Sequence, residues 1–160
     1  MMKRLDGVNC LLMTPFTKQG DIDHDSLRRL IDHVIDGGVS SIVAMGKIGE
    51  FDVLTMEERR TIMPIVVDYV ADRAPVGFGI INASFDDGLT LGRYAAQAGG
   101  DYVMSRPPVD GDIMDYFIRL ADQIPVMPYN LGVRGQLSVQ EHILPLVQKT
   151  GNIVGLKISG

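Results

Sequence analysis

The sequence predicts an α/β fold, a TIM-type (β/α)8 barrel truncated after about its sixth strand, held in a single partial-barrel domain over residues 1–160. Three observations predict it. Short apolar runs alternate with longer segments of helical period along the whole chain, as a parallel sheet with crossover helices requires. No linker or composition shift interrupts that alternation. Each apolar run also ends in a hydrogen-bonding or ionisable residue, at the C-terminal rim where α/β barrels gather their chemistry.

The elements follow in order. The first run, residues 8–13, stops at Thr14-Pro15-Phe16, where proline ends ladder pairing. After a turn at Gly20, Asp25 or Ser26 is the expected cap of a helix whose Leu27, Leu30, Ile31, Val34 and Ile35 share one face, closed by Gly37-Gly38. Residues 41–45 read as a buried strand and 46–50 as a loop. Thr55-Met56-Glu57-Glu58 has the form of a capping box opening a helix that runs to about Ala71. Residues 75–81 are the third strand, 86–98 its helix and 102–104 a short fourth strand. Residues 113–122 are helical in period, 126–129 strand-like and 139–148 helical, and 153–157 form a last strand ending at Lys157. Periodicity by itself fits both a doubly wound open sheet and a cut-short barrel. The first βα turn, Thr14-Pro15-Phe16-Thr17, lacks a glycine-rich phosphate cradle, and no Gly-Lys-Ser/Thr follows Gly46, which favours the barrel over a nucleotide-binding sheet.

Composition narrows the function. Of 160 residues, 46% are hydrophobic and 22% charged, the balance of a folded soluble protein. A net charge of −5 leaves no basic surplus for nucleic acid or an anionic membrane, so the expected ligand is a small molecule. Cys10 is the single cysteine, which excludes an internal disulfide and fits a reducing cytoplasm. Neither a signal peptide nor an apolar run of ~20 residues is apparent. His24, His33 and His142 lie on or beside predicted helices without ligand spacing, so no metal site is expected.

At the predicted rim stand Thr14, the 46–50 loop, Asn82, Ser105-Arg106, Tyr129-Asn130 and Lys157. Lys157 lies at the end of an apolar strand; burial disfavours an ammonium, and only the neutral amine attacks a ketone. On spacing alone, a lysine snorkelling to solvent is the commoner explanation. Tyr129 offers a phenol that can carry a proton while an imine forms, although a rim tyrosine bonded to a carbonyl is more frequent. The two glycines of the 46–50 loop let N–H groups turn toward an anion, or simply make a tight turn. Arg134 can pair a carboxylate in bidentate fashion, whereas most loop arginines are merely solvated.

Several motifs combine in order: Thr14-Pro15-Phe16, Asp21-Ile22-Asp23, Gly37-Gly38-Val39, Gly46-x-x-Gly49-Glu50, Leu54-Thr55-x-Glu57-Glu58-Arg59, Tyr129-Asn130 and Asn152-Ile153-Val154-Gly155-Leu156-Lys157. With them the chain resembles the dihydrodipicolinate synthase/N-acetylneuraminate lyase family of class I aldolases. The resemblance implies that Lys157 forms the imine and that Tyr129 transfers protons. It also implies that Gly46, Lys47, Ile48 and Gly49 hold the carboxylate of a pyruvate-type 2-oxo acid, mainly through the N–H groups of Lys47 and Ile48. Arg134 falls where synthase members bind a second substrate's carboxylate. Such enzymes make or break a C–C bond or eliminate water, need no metal or organic cofactor, and are expected here to form a homo-oligomer.

The chain departs from the family pattern at three places. Lys47 and Ile48 stand where the family has Thr or Ser, and Arg106-Pro107-Pro108 replaces a Pro-Tyr-Tyr segment whose tyrosine reaches a neighbouring subunit. These two changes point to a divergent lyase, aldolase or dehydratase rather than to the synthase itself. The third departure is length: a closed barrel needs ~250 residues, so a fragment or truncated form is expected, poorly soluble or oligomeric unless a partner closes it. The competing expectation is a non-catalytic barrel that binds a small anion or assembles with another chain.

Overall fold

The computed structural model describes residues 5–131 and 137–159. Six strands, β1 (Asn9–Leu11), β2 (Ser41–Ala44), β3 (Val76–Ile80), β4 (Tyr102–Ser105), β5 (Val126–Leu131) and β6 (Lys157–Ser159), form one sheet in the order β1-β2-β3-β4-β5-β6. Every pairing is parallel. Each strand therefore lies beside its neighbour in sequence, the winding of a barrel wall. A doubly wound sheet would reverse direction at a switch point, so the open-sheet alternative falls.

The helices are α1 (His24–Asp36), α2 (Met56–Val70), α3 (Phe85–Gln97), α4 (Ile113–Ala121) and α5 (Leu144–Thr150), each touching the next along the outside of the sheet. Leu27 and Ile31 of α1, Val66 and Val70 of α2, Leu91 and Ala95 of α3, Phe117 and Leu120 of α4 and Leu146 of α5 are buried against the strands. The opposite face of the sheet carries Leu11, Val43, Tyr102, Met104, Met127 and Lys157. Their alternation by two places them around a cavity of about 380 Å³ where the interior of a closed barrel would lie. Among the described residues β1 and β6 each pair on one side only. The result is a half-barrel.

Several boundaries differ from the sequence reading, among them β1, which ends at Leu11 rather than at residue 13, and β5, which runs on to Leu131. Asp23, not Asp25 or Ser26, caps α1: its backbone is extended and its carboxylate accepts the Ser26 N–H at 2.9 Å, while Asp25 in the first turn pairs with Arg28. The expected helix over 139–148 begins instead as a π turn, Val139–Ile143, before α5. Pro145 explains the break, because it has no N–H to bond back to Glu141. The last strand begins rather than ends at Lys157. The expected capping box of α2 is present, with Glu58 accepting the Thr55 N–H at 2.7 Å.

Candidate active site

The late start of β6 comes from a bulge. Ile153 bridges Val126, and Lys157 pairs with Tyr129, so two residues of β5 (Met127 and Pro128) face three on the other chain segment (Val154, Gly155 and Leu156). Pro128 has no N–H to contribute to the ladder there. Side chains alternate faces at every residue, so without the extra one Leu156 would stand opposite Tyr129. The bulge thus brings Lys157 onto the inner face beside the phenol.

Lys157 Nζ lies 3.8 Å from the Tyr129 ring centroid, and the Tyr129 hydroxyl is 2.8 Å from Ser159 Oγ. Tyr129 is 7% exposed, whereas Lys157 is half-buried. The Ser159 hydrogen bond, then the positive charges of Lys157 and Arg106, hold the phenol below the ordinary 10.0, against an opposing push from burial. A phenol lowered in this way is better matched to exchanging a proton with an amine.

The 46–50 loop is anchored from below. Buried Thr14 donates its hydroxyl to the Gly49 carbonyl at 2.7 Å. A Cβ at Gly49 would lie 2.8 Å from the Leu12 carbonyl oxygen, so only glycine allows this approach. Met45 and Glu50, which bracket the turn, and Asn82 at the end of β3 all take left-handed backbone. Such conformations cost about 1–3 kcal/mol each and concentrate at functional rims. Lys47 and Ile48 are exposed, and among the described residues no acceptor takes their backbone N–H groups. The loop therefore presents donors to whatever binds above it.

The Lys47 side chain points elsewhere. Its ammonium is 2.7 Å from Asp52, and Asp52 in turn accepts the Asn82 amide N–H at 3.1 Å. Those two contacts, Lys47 first, hold the Asp52 carboxyl below its ordinary value. Arg106 donates to Asn82 Oδ1 at 3.3 Å. Lys47, Ile81, Asn82, Arg106 and Tyr129 line a cavity of about 110 Å³ at the ends of β2 to β5. The structure thus gathers Tyr129, Lys157, Arg106 and the loop on one rim. Arg134 lies outside the described residues. Sequence reasoning placed Asn82 and Arg106 on the rim without giving them roles, and it missed Asp52 and Ser159. A polar residue two places past Lys157 was the available signal for Ser159. Among the described residues no group of three or more His, Cys, Asp or Glu side chains is placed to hold a metal, and no helix is long and apolar enough to cross a membrane.

The sequence profile of the dihydrodipicolinate synthetase family matches residues 4–159. The chain belongs to that family. Among relatives of this dihydrodipicolinate synthetase-family chain, the 4-hydroxy-tetrahydrodipicolinate synthase of Syntrophus aciditrophicus is 33% identical, aligned over 94% of this chain and 54% of its own length. That of Methylibium petroleiphilum is 36% identical over 98% and 56%. In structure the family member from Aquifex aeolicus superposes with a TM-score of 0.86 at 28% identity over 94% of this chain and 54% of its own. YagE of Escherichia coli K12, solved in complex with pyruvate, gives 0.86 at 30% identity over 95% and 54%. The chain spans about half the length of the curated relatives it matches.

Proposed function

We propose that this chain carries the imine-forming half of a divergent class I lyase acting on pyruvate or a related 2-oxo acid. The observation that carries the reading is the pairing of Lys157 with Tyr129, amine over ring at 3.8 Å, beside a phenol already lowered by Ser159. The neutral Lys157 amine adds to the ketone carbon, and Tyr129 returns a proton to the former ketone oxygen. A second proton, taken from solvent, releases that oxygen as water and leaves a protonated imine. That cation then accepts the electron pair freed when a bond to the adjacent carbon breaks, or returns the pair when one forms.

The N–H groups of Lys47 and Ile48 support the placement of the 2-oxo acid's own carboxylate at the 46–49 loop, with Gly46 and Gly49 letting the turn close. Arg134 is proposed as a further carboxylate partner by resemblance alone. The YagE complex with pyruvate supports the substrate class. A homo-oligomer working in the cytoplasm, without metal or organic cofactor, completes the proposal.

Borohydride reduction with pyruvate, followed by peptide mass spectrometry of the protein at its natural length, tests the reading. The expected result is a reduced pyruvyl adduct on Lys157, lost in Lys157→Ala. Absence of any adduct would sink it. Anion binding that Lys157→Ala leaves intact would select the non-catalytic alternative.

A further inference from the structure

The rim carries two cations around one small cavity, and they differ in how their charge is met. Lys47 is paired with Asp52 at 2.7 Å. Asp52 as a carboxylate can only accept, so the Asn82 amide must turn its NH2 toward it and its oxygen toward Arg106. Arg106 is held in place by that neutral oxygen through one N–H. Among the described residues it forms no ion pair with a carboxylate. A half-buried guanidinium is thus oriented by an amide, with its charge uncompensated and its remaining donors beside a cavity shared with Tyr129. On the same measure one water needs only ~10–15 Å³, so about 110 Å³ admits a carboxylate and part of a carbon chain.

Register locates this group relative to the imine. Ser105 pairs with Pro128, so Arg106 follows one step on, beside Tyr129, and Tyr129 pairs with Lys157. Two strand spacings of ~4.8 Å separate the backbones of Arg106 and Lys157. With both long side chains reaching inward, the remaining gap is a few bonds. The carboxylate attached directly to the ketone carbon stays at the 46–49 loop, whereas one further along the carbon chain reaches Arg106.

Building on the imine reading, we infer that Arg106, oriented by Asn82, receives a second carboxylate, and that the substrate class is 2-oxo acids with another acid group along the chain. A single guanidinium with one amide suits the planar, singly charged carboxylate, which it can take in bidentate fashion. Lys47, already satisfied, serves to hold Asp52 and through it the amide.

The test compares 2-oxoglutarate with 2-oxopentanoate, matched in chain length but differing in the terminal carboxylate, by concentration dependence of borohydride trapping at Lys157. Wild type is expected to half-saturate with 2-oxoglutarate at a concentration lower by about tenfold or more. Arg106→Gln is expected to collapse that ratio, and Arg106→Lys to restore part of it. An equal response in wild type, or a preference that survives Arg106→Gln, overturns the inference. Should neither acid nor pyruvate give an adduct, the imine reading fails, and calorimetric binding of the same two acids without borohydride decides Arg106 separately. A preference for 2-oxoglutarate lost in Arg106→Gln then supports its role; no preference, or no binding of either acid, overturns it.

Discussion

Tyr129 and Ser159 make one titrating unit. The serine stabilises the phenolate, so removing it raises the phenol from its lowered position. Ser159→Ala is therefore expected to move one of the protein's five tyrosines to higher pH in an ultraviolet tyrosinate titration, leaving the others in place. Imine formation uses the protonated phenol, so the alkaline fall of trapping should shift upward with it. An unchanged titration would remove Ser159 from the account. The stability consequence has the opposite reach. A depressed acid adds stability above its unfolded value near 10.0, and that contribution is lost as pH falls through the folded value, so none of it acts at neutral pH.

At the scale of the element, the bulge before β6 decides which residue faces the phenol. Inserting a glycine after Gly155 sets four residues against two between the Val126–Ile153 bridge and the Tyr129–Lys157 pair, and a bulge of one residue then shifts Lys157 on by one position. The lysine would then leave the ring and Leu156 would stand opposite Tyr129. The insertion is expected to abolish trapping at Lys157 while the circular dichroism of the helices persists. Retained trapping would show that the register is not what aligns the pair. Gly155 suits the site because a Cβ there would lie 3.3 Å from Met127 Cε, a tight contact. The strand was legible in the sequence as an apolar run, but its extra residue was not, since a bulge is a relation between two segments and leaves no periodic trace in either.

At the scale of the molecule, a wall of six parallel strands leaves β1 and β6 paired on one side only among the described residues, beside an interior cavity of about 380 Å³. Unpaired edges recruit other chains, and Val8 and Ile158, 65% and 64% exposed, lie beside or on these edge strands. We expect the 160-residue chain to sediment as an oligomer at micromolar concentration and to dissociate with loss of its cooperative melt. A monodisperse monomer with one sharp calorimetric transition would contradict that expectation.

The sequence by itself determined the kind and order of the elements, the capping box at Thr55 and the family, because these depend on local period, local hydrogen bonding and an ordered set of short motifs. It also placed Asn82, Arg106 and Tyr129 toward the C-terminal ends of their strands, where a barrel puts its chemistry, but read Lys157 as the end of a strand that it begins. Only the tertiary structure decided that the strands wind in one direction, that a bulge aligns Lys157 with Tyr129, and that Asp52 takes the charge of Lys47 while Asn82 orients Arg106. Those facts arise from contacts between residues far apart in the chain. Hydrophobic period records which face of a segment is buried, but it carries no information about which distant side chain will stand opposite.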